Sequence, residues 1–272
     1  MLQSPKVTHE ALNRKRIFPF HYAPGVRMVH VVATIADEPG ALASLLGDLS
    51  GKVNLIGTST YSTDDNRAIF SGFGRVLSET ESAQTIQVSA SSSARVFDCN
   101  VWDSVDGLLV DRFHTGFFAG VGEPYLIFPN RGLSETFEGV VKALGSGGEF
   151  ILYTQGLNYA KTRGPLYKKI MGNHPETRID ELTALVGALG YGRSTASTDA
   201  SGMSIRLTSQ ECFECSTPTH SNRTCSFLRG MAVGIFGCIF DKELVGTETK
   251  CRQKGHEECV FILTPKDQRP MF

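Results

Sequence analysis

Apolar residues fall along the chain in blocks whose period shifts between two and about 3.6, so strands and helices alternate through most of it. Residues 28–34 (Met-Val-His-Val-Val-Ala-Thr) form a β-branched run that stops at Asp37-Glu38-Pro39-Gly40, which predicts a strand entering a turn. Ala41, Leu42, Leu45, Leu46 and Leu49 then recur at helical spacing up to Gly51. Strands are expected over 53–60 and 68–76, with a hairpin in the polar stretch 63–67 between them. A further helix and strand fill 78–98, where Ser91, Ser92 and Ser93 are too polar for core. Residues 1–26 are polar, show no sustained period and carry Pro5, Pro19 and Pro24; they read as an extension that forms no domain.

The second half begins with a helix-like stretch over 108–118, and a second helix follows over 137–144. Phe150-Ile151-Leu152-Tyr153 predicts a short buried strand, followed by loop-forming Gly156 and Gly164. Ile179, Leu182, Leu185, Val186 and Leu189 recur at helical spacing and stop at Gly190. Over 203–208, Met203, Ile205 and Leu207 alternate onto one face of a strand. The apolar stretch 228–240 carries Gly230, Ala232, Gly234 and Gly237, a composition that lets another element approach this helix closely. No repeat or low-complexity linker separates the halves.

Composition narrows the class. Hydrophobic residues make up 41% and charged residues 20% of 272, the balance of a folded globular chain of one large or two ordinary domains. A formal net charge of −1 gives no electrostatic case for direct nucleic-acid binding, and the basic cluster at 13–16 reads as a solvated end. No run of about 18 apolar residues is present to span a membrane, and the first residues lack a signal-peptide core. Seven cysteines, five of them between Cys212 and Cys251, do not suit a disulfide framework. Reduced thiols in a cytoplasmic protein fit better, and their clustering points to metal or redox chemistry.

Asp37, Glu38, Pro39, Gly40, Ala41 and Leu42, followed by a strand opening on Val53, Asn54 and Leu55, resemble the ACT domain. The resemblance covers about residues 27–98 and implies a ferredoxin-like regulatory module. In such modules the turn after the first strand helps to bind an amino acid, which makes Asp37, Gly40 and Asn54 candidate effector-site residues. Gly40 permits close backbone approach, and a helix N-terminus favours a carboxylate. A purely structural turn, with Asp37 capping the helix, accounts for the same residues.

Cys225 precedes the glycine-bearing helix, and Glu248, Cys251 and Cys259 follow it with spacings Glu-x2-Cys and Cys-x7-Cys. Zinc takes four ligands in a tetrahedron and accepts thiolates readily, with a carboxylate as a fourth. Gly255 permits the tight reversal that returns Cys259 toward Cys251, and Lys250, Arg252 and Lys254 would offset the negative charge. Spacing alone leaves a metal site, inert thiols and a redox pair all open. Cys212 and Cys215 add a Cys-x2-Cys that would serve as a redox pair, a second metal site, an alternative ligand or two buried thiols. His256 reads as a loop residue and Cys238 as core.

The run from Cys225 to Gly234, the segment Glu248-Thr-Lys-Cys251 and the segment Gly255-His-Glu-Glu-Cys259 resemble the 4-vinyl-reductase-type, or hydrocarbon-binding, domain. The resemblance covers about 105–265. It implies a mixed α/β fold related to the TRAPP vesicle-tethering subunits, a tendency to dimerise, and zinc held by Cys225, Glu248, Cys251 and Cys259. The expected organisation is an α/β (α+β) chain: an extension at 1–26, an ACT-like domain at 27–98 and a 4-vinyl-reductase-type domain at 99–272.

The function expected from this is a zinc-containing, homodimeric sensor that binds a hydrophobic or aromatic small molecule, with an amino acid as candidate effector of the ACT-like domain. An apolar cavity is expected between 227–240 and 150–153, in a chain with 17 Phe and 7 Tyr. Four protein ligands leave no open coordination site, and no nucleophile–base motif or Gly-x-Gly-x2-Gly stands out, which argues against an enzyme. The alternatives are a tetrapyrrole vinyl reductase or its accessory, and a cysteine-based redox switch. No helix-turn-helix is evident, so a DNA-binding partner would be another polypeptide.

Overall fold

The computed structural model describes residues 17, 19–119, 123–199, 204–216 and 223–268; Met203 and the basic cluster at 13–16 lie outside them. The chain divides into two compact units, Met1–Leu126 and Ile127–Phe272, and both are α+β with antiparallel sheets. No described helix is long and apolar enough to cross a membrane.

The N-terminal unit is built from β1 (Phe20–Tyr22), β2 (Met28–Ala36), α1 (Ala41–Leu49), β3 (Val53–Ser62), β4 (Arg67–Val76), α2 (Ala83–Ala90) and β5 (Val96–Asp103). Its main sheet has the order β3-β4-β2-β5, so the βαββαβ segment has the ferredoxin-like arrangement. Alternation along β2 sends Val29, Val31, Ala33 and Ile35 into one core with Leu45, Leu49, Ile86 and Ala90 of the helices. Met28 belongs instead to a smaller cluster with Phe73 and Leu109. A reciprocal cap starts α2: Ser82 Oγ accepts from Thr85 N at 3.0 Å, and Thr85 Oγ1 accepts from Ser82 N at 2.7 Å.

Three expectations change here. The division between the units falls after Leu126 rather than at 98/99. The reasons are that β5 continues the sheet through Asp103, and that β6 (Leu108–Val110) pairs with β1 inside the supposed extension. The helix expected over 108–118 is replaced by β6 and by β7 (Phe117–Ala119), which pairs with β8 (Glu123–Tyr125). Asp106 and Gly107 both take positive φ, 50° and 78°, and reverse the chain so that Val105 bridges Leu108. A helix cannot pass through two left-handed residues.

The C-terminal unit comprises α3 (Asn130–Leu144), α4 (Ser146–Met171), α5 (Ile179–Ala188), β9 (Ser194–Thr198), β10 (Ile205–Ser209), α6 (Ser226–Phe240), β11 (Leu244–Lys250) and β12 (Cys259–Pro265). The sheet order is β11-β12-β10-β9, and interior β12 contributes the fully buried Cys259, Val260, Phe261 and Leu263. Residues 150–153 are not a strand but the second turn of α4, a helix of 26 residues. The misreading has a physical cause. The face that α4 buries is made of Gly156, Ala160 and Gly164, so the apolar period that reveals a helix is missing, while Phe150 is 70% exposed.

That face meets the glycines of α6 backbone to backbone. A Cβ on Gly156 would stand 2.1 Å from the Phe227 carbonyl, and one on Gly230 would stand 2.1 Å from that of Tyr153. One on Gly234 would lie 2.4 Å from Ala160 Cβ. The backbones cannot give way as a flexible side chain can. Gly156→Val or Gly230→Val should therefore cost the unit more than about 3 kcal/mol. Gly139→Ala, on α3 with nothing near its added Cβ, should gain about 0.5–1 kcal/mol. Urea unfolding followed by far-ultraviolet circular dichroism checks both signs.

Candidate metal centre

The three late cysteines expected as ligands sit where three elements meet. Cys225 is the residue before α6, Cys251 follows β11, and Cys259 opens β12. Gly255, at φ 85°, makes the turn that returns the chain to Cys259. All three side chains are buried, with S···S separations of 3.7 Å for both Cys225–Cys251 and Cys225–Cys259. A register shift between Glu248 and Lys250 distorts β11 just before Cys251. Glu248 Oε2 accepts from the Cys225 N–H at 2.9 Å, and Oε1 is buried with no hydrogen-bond partner among the described residues. The donor atoms of Cys225, Glu248, Cys251 and Cys259 all lie within 4.8 Å of one another.

The structure adds two members to this group. Cys212 and Cys215 lie in and beside a 3-10 turn, Phe213–Cys215, and reach the same cluster. Cys212 is 3.6 Å from Cys225, and Cys215 is 3.0 Å from Cys225, 3.8 Å from Cys251 and 3.7 Å from Cys259. A second set of mutually close donors is thus Cys212, Cys215, Cys225 and Cys259. Five buried thiols and a carboxyl in one pocket are the donor chemistry of a soft or borderline divalent ion. With a metal–sulfur bond of about 2.3 Å, the edge of a tetrahedral thiolate site is about 3.8 Å, and most of the measured separations sit at that value. The residues fit zinc.

Glu214 fixes the Cys-x2-Cys turn. Its carboxylate accepts from the Leu228 N–H at 2.9 Å and the Phe227 N–H at 3.3 Å, capping α6 from a distant segment. Its backbone carbonyl accepts from Ser134 Oγ at 2.9 Å and from the buried Arg223 guanidinium. Burial pushes the Glu214 carboxyl up to about 8, against the opposing pull of the Leu228 N–H and Arg223. Thr224, one residue before Cys225, is tied to Glu149 of α4 at 3.1 Å. Among the thiols Cys215 is held lowest, because Cys212, Cys225 and its other neighbours donate toward it. Burial raises Glu248. His256 is exposed and Cys238 packs against Gly164 of α4.

An apolar cavity of about 30 Å³ lies beside α6, lined among others by Leu182, Val186, Leu207, Met231, Ala232 and Phe236. The expected wall from α6 is present. The expected wall from 150–153 is not; α5 and the sheet take its place, because α4 already meets α6 through glycine.

In the N-terminal unit the candidate effector residues separate. Gly40, at φ 91°, starts α1 with no side-chain cap, so Asp37 does not cap the helix. Asp37 and Gly40 follow the end of β2, whereas Asn54 pairs with Arg75, which pairs with Met28 at the start of β2. Asn54 is thus at the opposite end of the sheet from the turn. A group that the sequence pattern did not suggest lies between β2 and β4. His30 Nε2 is 2.8 Å from Ser71 Oγ, and His30 Nδ1 is 3.9 Å from Asp111 Oδ1. His30 is packed against Phe73 and Trp102, and it and Ser71 are 0% and 5% exposed, which leaves a substrate no access. The group is a buried polar network, not a nucleophile–base pair.

An α+β unit with a buried thiol-rich centre defines the class, and comparison with known proteins agrees. Residues 205–265 match the vinyl-4-reductase domain, a range that contains all six donors. Similar solved structures include the phenol-responsive sensory domain of the transcription activator PoxR with phenol. That match has 18% identity over 54% of this chain and 79% of that one, with a TM-score of 0.48. A vinyl-4-reductase family protein from Methanocaldococcus jannaschii is 16% identical over 52% and 83%, with a TM-score of 0.37. Trafficking protein particle complex subunit 3 from Naegleria fowleri, covalently bound to palmitic acid, is 10% identical over 50% and 95%, with a TM-score of 0.40. No curated protein matches the chain.

His30 sets a pH dependence. Burial lowers its imidazole from 6.5 to about 4, against the Asp111 carboxylate that raises it. Above pH 6.5 the group is neutral folded and unfolded alike, and contributes no pH dependence. As the pH falls, the unfolded chain takes up a proton that the folded chain refuses, so stability is lost between about 6.5 and 4. The loss approaches about 3 kcal/mol, at about 1.4 kcal/mol per tenfold difference in proton affinity. Urea midpoints read from the fluorescence of Trp102, the one tryptophan, should fall over that window, and His30→Gln should flatten this part of the profile.

Proposed function

We propose that the C-terminal unit is a ligand-responsive sensor module for a hydrophobic or aromatic small molecule, with zinc as a structural clamp on its thiol cluster. One observation carries the reading: the vinyl-4-reductase domain match at 205–265 spans both the donor cluster and the α6 and β10 walls of the apolar cavity. Cys225, Cys251 and Cys259 belong to separate elements, so one ion bound to them would tie the start of α6 to two strands. A fully protein-ligated ion serves structure rather than catalysis. A cavity of about 30 Å³ is too small for an aromatic ring, so entry of an effector requires α5 to move away from α6.

The N-terminal unit is proposed to be an ACT-like regulatory module, on its ferredoxin-like strand order and its Asp-x-Pro-Gly turn. An amino acid is its candidate effector, and the chain is proposed to act as a homodimer. Support for self-association comes from Leu144, Phe150 and Ile151, exposed around the α3–α4 junction, where apolar side chains favour a partner surface.

A thermal-shift series with phenols, fatty acids, isoprenoids and amino acids tests the sensor reading. A true effector at a hundredfold excess over its Kd should stabilise by about 2.7 kcal/mol. Ala232→Phe, which fills the cavity, should abolish the response to a hydrophobic effector while leaving an amino-acid response intact. No shift with any hydrophobic compound would count against the sensor. Light scattering should give twice the 29.6 kDa chain mass, and Phe150→Glu should return it toward one.

A further inference from the structure

Taking the thiol cluster to be a metal centre, we propose that its fourth ligand is Cys215 and not Glu248, so that the ion is held by Cys215, Cys225, Cys251 and Cys259. Geometry points there first. An ion bound to four thiolates at about 2.3 Å requires sulfurs about 3.8 Å apart on every edge. Cys215–Cys251 measures 3.8 Å, Cys215–Cys259 3.7 Å, Cys225–Cys251 3.7 Å and Cys225–Cys259 3.7 Å. Cys215–Cys225 is shorter, at 3.0 Å, and Cys251 and Cys259 lie within 4.8 Å of each other. Four of the six edges of a tetrahedron are therefore already at length, and all four side chains are buried.

The second argument is that Cys215 is placed, not loose. Its neighbour Glu214 caps α6 by accepting from Leu228 and Phe227, and the Glu214 carbonyl is held by Ser134. The Cys215 N–H closes the turn on the Cys212 carbonyl at 3.0 Å. The same contacts that start α6, and so place Cys225, also place Cys215. Glu248 has one carboxylate oxygen already engaged by the Cys225 N–H at 2.9 Å, which gives it a supporting task. It orients the Cys225 backbone while a sulfur takes the metal. Its second oxygen, Oε1, makes it the competing ligand, and the experiment is chosen to separate the two.

The balance of the binding step is simple: four thiols release four protons as one divalent ion enters, and no oxidant or reductant is needed. Cys212, 3.6 Å from Cys225, stands outside the four as a spare thiol. The centre is then softer than one with a carboxylate ligand, and should favour zinc, cadmium or cobalt over harder ions.

X-ray absorption of the zinc-loaded full-length chain decides the question on the unaltered protein. Four sulfurs and no oxygen in the first shell are expected; three sulfurs and one oxygen would overturn the assignment to Cys215. Variants loaded with Co2+ provide a second readout. The sulfur-to-cobalt charge-transfer absorbance per metal should fall by about a quarter in Cys215→Ser and stay unchanged in Glu248→Gln. The reverse pattern overturns the proposal. If Cys215→Ser does not fold, the zinc spectrum of the unaltered chain stands alone as the test. A chain that takes up neither zinc nor cobalt would overturn the metal-centre reading itself, a different outcome from a carboxylate in the shell.

Discussion

The C-terminal unit depends on the absence of side chains between α4 and α6. Gly156 and Gly230 each stand where an added Cβ would strike the other helix's carbonyl, so the two backbones are in contact. Such contact gives dispersion attraction along two helices without rotamer entropy to lose, since glycine has no side chain to order. It also fixes α6 along its axis, because a shift of one residue would bring a bulky side chain under a carbonyl. Everything else in the unit is referred to that helix.

α6 then serves three neighbours at once. Its glycine face meets α4, another face with Leu228, Met231, Ala232, Ile235 and Phe236 lines the cavity, and its N-terminus leads back to Cys225. The orphan N–H groups of its first turn are satisfied by Glu214 rather than by an adjacent residue. A carboxylate buried for that purpose is costly to desolvate, and the neighbouring Arg223 offsets part of the cost. The arrangement makes the cavity wall and the thiol cluster two parts of one rigid body. A displacement of α6 by anything entering the cavity would be transmitted to Cys225, and through it to the strands that carry Cys251 and Cys259.

The N-terminal unit follows the more usual logic of a half-buried sheet. Alternation along β2 fills one core with Val29, Val31, Ala33 and Ile35. His30 lies between these positions and is buried on the opposite side, where packing against Phe73 and Trp102 leaves it no water. A histidine kept neutral in that way is sequestered by packing, and among the described residues its hydrogen-bond partner is the Ser71 hydroxyl.

Where the buried face is made of branched aliphatic residues, the sequence alone was enough. The strands at 28–36, 53–62 and 67–76, the helices at 41–49 and 179–188, and the closeness of Cys225, Glu248, Cys251 and Cys259 were all legible, because period and spacing are local properties. Helix α4 was not, since its buried face is glycine and its Phe150 points to solvent, which removes the apolar stripe from the pattern. The hairpin at 105–108 was hidden in the same way, by two positive-φ residues inside an apolar stretch. Asn54 looked close to Gly40 only because sheet register, which separates them, is set by pairing across strands. Cys212 and Cys215 showed their spacing in the sequence but not their neighbours. Only the tertiary fold, by anchoring Glu214 on the first turn of α6, decided that these two thiols join the other three, because the contact that holds them spans segments that no local period connects.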